Sequence, residues 1–380
     1  MPTPLSTNRK RFVVILVVVL ASTLGKASFA ADSNVTPKVE GDIAWRDVCD
    51  WGVEGKGFSD TARYFDRLPA KAEKTVRSAV WSLSRHSAGM LVRFETNATS
   101  IHARYSLLSG GLAMPHMPAT GVSGLDLYAR DDQGRDRWLA VARPSAQQMK
   151  LQLVSGVDPL PDAKPRLYTL YLPLYNGVES LEIGVDTKVE FRPIPPRTDK
   201  PIVFYGTSIM HGACASRPGI SMTGILGRRL DRPVINLGFS GNGRMEAEVG
   251  ELLAELDASV YVIDCLPNMA ADAVAERAEP LVRQLRKARP DTPILLVEDR
   301  TYTYAPFRKS ARDRHATSRA ALRKAYDNLI AADVQHLYYL EGDVLLGDDG
   351  EAATDGSHPN DLGMVRYADA YEPVLRKILD

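Results

Sequence analysis

Cysteine is scarce: Cys49, Cys214 and Cys265 are the only three among 380 residues. An odd number without metal-like spacing excludes a disulfide framework and a cysteine-built metal site, and Cys214 and Cys265 read as small buried filler. His86, His102, His315 and His336 stand at no ligand spacing, so no catalytic metal and no cofactor is expected. Net charge is lacking too. Lys plus Arg and Asp plus Glu number 47 each, which leaves no overall field to favour nucleic acid or an anionic membrane. Internal repeats and low-complexity segments are also absent. The apolar run Phe12 to Leu24 is short for a bilayer span. Preceded by Arg9-Lys10-Arg11 and followed by Ser28-Phe29-Ala30, it reads as a secretory signal peptide over residues 1–30, with an uncleaved anchor as the alternative. The mature chain is then exported, periplasmic or secreted, with no membrane span.

What remains has the composition of a globular chain, 44% hydrophobic and 25% charged, and its length suggests two domains. The proline-rich stretch 193–200, Pro193-Ile194-Pro195-Pro196-Arg197-Thr198-Asp199-Lys200, reads as a connector. Before it, over 31–192, short runs such as Met90 to Glu95, Ile101 to Tyr105, Leu125 to Arg130, Trp138 to Val141, Leu167 to Leu172 and Leu181 to Val185 predict strands. A β-sandwich fits them best. After it, over 201–380, apolar runs at Pro201 to Tyr205, Pro233 to Leu237, Ser259 to Asp264, Pro293 to Val297 and His336 to Leu340 predict five strands. Helical spacing over Ala271 to Ala288 and Ser318 to Ala332 alternates with them, so the class is a doubly wound α/β domain.

The chemistry-bearing residues gather at the ends of these strands. Gly206-Thr207-Ser208 follows the first strand, where α/β proteins place reacting groups. A serine hydroxyl is a weak nucleophile until a base takes its proton, and a histidine base needs an acceptor on its other ring nitrogen. Asp355 and His358, in Asp355-Gly356-Ser357-His358-Pro359, supply both on one tight turn. Gly241, after the second strand, and Asn268, after the third, are candidate donors to an oxyanion.

Ser208, Gly241, Asn268 and His358 fall in the order and spacing of the four blocks of the SGNH (GDSL-like) hydrolases, which this sequence resembles from about Lys200 to Asp380. The resemblance implies a flavodoxin-like sheet, a Ser-His-Asp triad of Ser208, His358 and Asp355, and an oxyanion hole of Ser208 N–H, Gly241 N–H and the Asn268 amide. Two departures stand out: Thr207 replaces the usual acidic residue before the serine, and the third block reads Leu266-Pro267-Asn268-Met269. Met114-Pro115-His116-Met117 and Gly121-Val122-Ser123-Gly124-Leu125-Asp126-Leu127-Tyr128 resemble the GxDLY domain that precedes such hydrolases in bacterial esterases. In a bacterial exported protein the sequons at Asn34 and Asn97 are chance matches.

The expected function is thus an exported serine esterase that cleaves small acyl esters, acetyl foremost, on a small molecule or polysaccharide. The alternatives are a lipid or lysophospholipid esterase, an acyltransferase, or a non-enzymatic carbohydrate-binding protein. His116, His211, Arg217 and Glu298 are candidate substrate-binding residues. For Arg217 and Glu298 an internal Arg–carboxylate bridge competes with that reading, and Asp264 reads as a buried hydrogen-bonded aspartate.

Overall fold

Strict alternation is clearest at Ile101 to Leu107, where every second side chain is buried, the signature of a strand with one face on a core. The computed structural model describes Met1 and residues 35–380; the expected signal peptide and Asn34 lie outside the described residues. The first half contains ten strands: β1 (Lys38–Glu40), β2 (Ile43–Asp47), β3 (Leu91–Thr96), β4 (Ile101–Leu107), β5 (Asp126–Arg130), β6 (Asp136–Val141), β7 (Gln148–Val154), β8 (Arg166–Tyr171), β9 (Val178–Asp186) and β10 (Phe191–Ile194). They form two antiparallel sheets, ordered β1-β2-β9-β4-β7 and β10-β3-β8-β5-β6. Phe94, Leu127 and Leu170 from one sheet meet Ala103, Leu181 and Ile183 from the other in a shared core. Two short helices, α1 (Ser78–Ser84) and α2 (Ala119–Val122), lie in the connections. Strands β1, β2, β7 and β10 were not expected from sequence. Pro193 and Ile194, read as the start of the connector, end β10 instead, where Pro193 faces Phe94. An edge strand tolerates a residue without an N–H.

The second half is a parallel sheet of β11 (Ile202–Gly206), β12 (Val234–Gly238), β13 (Val260–Asp264), β14 (Ile294–Val297) and β15 (Leu337–Leu340), in the order β12-β11-β13-β14-β15. This is the flavodoxin-like arrangement, and β11, β12 and β13 are buried on both faces. Alternate residues feed two cores. Val203, Tyr205 and Ile263 face α5 (Ala247–Glu255), α6 (Ala271–Ala288) and α7 (Lys309–Ala331), while Phe204, Val262 and Leu295 face α4 (Met222–Arg229) and α8 (Asp361–Leu379). A further short helix, α3 (Ser208–His211), follows β11. Helix α6 spans the expected residues, whereas α7 starts earlier than expected, at Lys309.

Both of these cores extend into the first half of the chain. Phe58, Leu68, Val76, Val80 and Trp81 pack with Leu237 and Phe239, and Met117, Val122 and Leu174 pack with Ile209 and Met210. Residues 35–380 accordingly form one compact unit. A polar clamp reinforces the junction. The fully buried Asp126 carboxylate accepts from Gly219 N (2.7 Å), Arg217 Nη1 (3.0 Å) and Trp138 Nε1 (2.9 Å). Arg217, a candidate substrate ligand by sequence, also donates to Tyr128 Oη at 2.6 Å and is committed to this internal bridge. Replacing Asp126 with Ala strands a partly buried guanidinium and an N–H, a loss of about 3 kcal/mol. Denaturant melts are expected to show a lower midpoint with an unchanged slope; a midpoint within error of wild type would contradict the clamp.

Candidate functional site

Ser208 opens α3 directly after β11, with Thr207 as N-cap accepting from Ile209 N. The turn is tight because the neighbouring chain comes very close: a Cβ at Gly238 would lie 2.2 Å from the backbone N of His211, so only glycine lets β12 run past α3. At the other end of the chain, residues 355–358 fold into a turn that precedes α8. Ser208 Oγ stands 2.8 Å from His358 Nε2, and His358 Nδ1 stands 2.8 Å from Asp355 Oδ2. The other oxygen, Asp355 Oδ1, accepts from the N–H groups of Ser357 (3.0 Å) and His358 (2.7 Å). Partial burial pushes the Asp355 carboxyl up, but the backbone N–H and ring of His358 and the Ser357 N–H outweigh it and bring it down to about 2. Asp355 is therefore an anion at any ordinary pH, and that fixes Nδ1 as the protonated ring nitrogen and Nε2 as the acceptor facing Ser208.

Three donors stand by this chain of hydrogen bonds. Ser208 N, in the first turn of α3, and Gly241 N have no acceptor among the described residues. Gly241 has φ +70°, a conformation that favours glycine, and its carbonyl is turned away to accept from Arg244 Nε at 3.1 Å. The Asn268 amide is assigned from its surroundings: Oδ1 accepts from the N–H groups of Asn242 (3.0 Å) and Gly243 (3.2 Å), which leaves its NH₂ as a donor. The altered third block places Asn268 at the end of a single 3₁₀ turn, Leu266–Asn268.

The 355–358 turn is held from below by a residue with no catalytic signature in the sequence. Arg300, after β14 and almost fully buried, donates through Nε to Ser357 O (3.0 Å) and through Nη2 to Ser357 Oγ, while Nη1 pairs with Asp299. Ser357 lies between the aspartate and the histidine, so this fork fixes both.

The remaining candidates divide. His116 is exposed on a narrow turn closed by Met114 N to Met117 O (2.9 Å) and its reciprocal bond (3.1 Å), with Met117 anchored in the core. Its ring centre lies 6.0 Å from that of His358. His211 is instead fully buried beneath Ser208, stacked on Tyr175 at 4.2 Å, with Nε2 3.3 Å from His86 Nδ1. Burial holds it neutral, well below the usual imidazole range, and it has no access to a ligand. Glu298 accepts from Tyr339 Oη (2.6 Å) and Gly342 N (3.0 Å), so it is structural rather than substrate-facing. Sequence gave no sign of Tyr175, whose hydroxyl donates to Ser208 O at 3.2 Å, or of Arg67. The three cysteines are free.

Asp264, at the end of β13, is buried as expected. It accepts from Tyr371 Oη at 2.6 Å, and its Oδ1 has no partner among the described residues. Burial, partly offset by the tyrosine, pushes this carboxyl up to about 7. Because the folded-state value exceeds the unfolded one, the group costs nothing below about pH 4 and destabilises progressively as pH rises to about 7. The expected outcome is that Asp264→Asn gains stability relative to wild type between pH 4 and pH 8. A difference between the two melts that does not vary with pH would refute it.

A family model described as GDSL-like lipase/acylhydrolase matches residues 199–376, and one described as the N-terminus of Esterase_SGNH_hydro-type matches residues 43–191. A search of curated proteins found no match. Among solved structures, a GDSL-like lipase from Bacteroides ovatus is 34% identical with a TM-score of 0.83, over 89% of this chain and 98% of that one. A salicylyl-acyltransferase, SsfX3, from a tetracycline biosynthetic pathway is 16% identical at TM-score 0.64, over 92% and 98%. A family two carbohydrate esterase from Cellvibrio japonicus is 12% identical at TM-score 0.57, over 89% and 98%. The last two likenesses concern the fold.

Proposed function

The chain belongs to the GDSL-like lipase/acylhydrolase family and is an ester hydrolase, and we propose that it is an exported serine esterase acting on small acyl esters, acetyl foremost, carried by a carbohydrate. The observation that carries the mechanism is the unbroken line Ser208 Oγ, His358 Nε2, His358 Nδ1, Asp355 Oδ2, with 2.8 Å at each hydrogen bond. In this reading His358 takes the Ser208 proton as Oγ attacks the ester carbonyl, and the Asp355 anion stabilises the imidazolium that forms. The N–H groups of Ser208 and Gly241 and the Asn268 amide receive the oxyanion. His358 then protonates the departing alcohol. Water, deprotonated by the same imidazole, attacks the acyl-serine and releases the carboxylic acid with the serine restored.

The sugar part of the reading is supported by the likeness to a carbohydrate esterase and by the sandwich fused to the α/β unit. His116 supports it differently: an exposed imidazole beside His358 suits a polar alcohol better than a lipid tail. Export rests on the basic, apolar and small-residue pattern of residues 1–30.

Three experiments test this. Turnover of p-nitrophenyl esters of increasing chain length, set beside release of acetate from acetylated polysaccharides, is expected to be fastest for acetyl and to extend to the polysaccharide; a rise with chain length would favour a lipid substrate. Ser208→Ala is expected to lower kcat by about 10⁴–10⁶ with an intact fold, and near-normal turnover would remove Ser208 from the reaction. Arg300→Met probes the support of the turn. With the fork gone, His358 and Asp355 lose their registration, and kcat is expected to fall about 10²-fold with KM nearly constant. A fall in stability alone, with kcat unchanged in the folded variant, would make Arg300 merely structural.

A further inference from the structure

A second cleft opens where the two halves meet, away from Ser208. It lies between β3 and β8 on one side and α4 and the first residue of β12, Val234, on the other, with an interior of about 40 Å³ that opens to solvent. Because the sheet is parallel, the start of β12 is at the opposite edge from the turn that carries Ser208. The cleft is therefore no part of the ester site.

Its charge is unbalanced. Arg93 and Arg197 pair with Glu54 at 3.3 and 2.6 Å, Arg197 also with Asp231 at 2.9 Å, and Arg130 with Asp136 at 3.0 Å. Two more arginines line the same cleft, Arg228 and Arg232, and neither has a carboxylate partner among the described residues. The lining thus carries five arginines against three acids, an excess of two positive charges. Arg228 matters most. Its guanidinium stacks 4.0 Å over the Tyr128 ring and 5.3 Å from Tyr171, which satisfies its faces. The edges are another matter. Nη2 donates to Tyr128 Oη at 3.3 Å, while Nη1 is buried with no acceptor. A buried guanidinium edge without an acceptor is costly, and a planar fork of donors is the natural match for a carboxylate. Beside it the lining is apolar, with Leu91 and Val234 slightly exposed and Leu172 and Leu174 buried, and Thr169 adds a hydroxyl.

From this we infer that the cleft binds a small amphipathic carboxylate, its anion on Arg228 and its apolar group along the leucines. The inference is independent of the proposed ester substrate. It assigns the junction between the halves a ligand of its own, with the same functional group that ester hydrolysis releases.

Calorimetric titration of the full chain with sodium hexanoate tests it, with acetate and 1-hexanol as companions. Hexanoate is expected to bind with one site; acetate is expected to bind more weakly, by about fourfold per methylene lost against the apolar wall, and 1-hexanol not measurably. Arg228→Met is expected to weaken hexanoate about 10- to 100-fold. Should that variant fail to fold, Arg228→Lys keeps the charge without the fork, and Thr169→Val removes the hydroxyl; each is expected to weaken binding. Hexanoate affinity unchanged in the folded variants would place the ligand elsewhere, and no heat with hexanoate up to about 10 mM, a binding free energy under about 3 kcal/mol, would overturn the proposal. Neither outcome bears on Ser208, because ester turnover is measured separately.

Discussion

The active edge depends on one buried arginine from the other half of the chain. Arg67 is 2% exposed and has no carboxylate partner among the described residues, yet its guanidinium is fully occupied. Nε donates to His86 O at 2.9 Å, Nη1 to Asn236 O at 2.9 Å and Gly238 O at 2.8 Å, and Nη2 to Leu83 O at 2.7 Å. Burying a charge is costly unless every polar atom finds a partner, and here four carbonyls share it. Two belong to the end of β12, where the chain turns into the loop that carries Gly241. The strand cannot shift along its axis without exposing those carbonyls to an apolar surrounding. The result is a fixed distance between the Gly241 loop and α3, set by residues over a hundred positions upstream.

Around that fixed edge backbone groups help to hold each of the candidate residues. Ser208 sits in the first turn of α3, and its own carbonyl accepts from Tyr175. His358 and Asp355 share a turn whose middle residue is gripped by Arg300. Asn268 is pinned through its oxygen by two N–H groups of the Gly241 loop. Such an arrangement costs little reorganisation when charge develops, which is the condition for donors to stabilise an oxyanion. The parallel topology makes it possible, because β11, β12 and β13 all end at the same edge, so loops distant in sequence converge there.

Local signals made these residues legible in the sequence, and non-local ones hid the rest. Ser208, Gly241, Asn268 and the Asp355-His358 pair each follow a short apolar run or occupy a tight turn, and strands of that kind are readable from periodicity. Arg67 and Arg300 carry no such signature, since their importance lies in which distant carbonyls they reach. Arg217 and Glu298 show the limit of charge as a signal: beside a functional edge it fits both a ligand and an internal bridge, and the partners found, Asp126 and Tyr339, are fixed only by the fold. His211, three residues after Ser208, lies on a one-turn helix whose four residues are all buried, so its nearness in sequence gives it no route to a ligand. Residues 58–81 reach across the connector, because their apolar side chains fill a core whose other members start more than a hundred residues later.

That shared core changes what the sandwich is for. A module joined only by a connector would leave the α/β unit with its own closed core, and the first half would then be free to drift. Here Leu68, Val80 and Trp81 complete the packing around Leu237 and Phe239, and Met117 completes it around Ile209 and Met210. Removing them would open voids under the candidate site, and cavities are expensive in close-packed interiors. The same packing explains how a surface turn can present His116 at 6.0 Å from His358: Met117, its immediate neighbour, is locked in the core, so the exposed ring inherits the rigidity of the sheet beneath it.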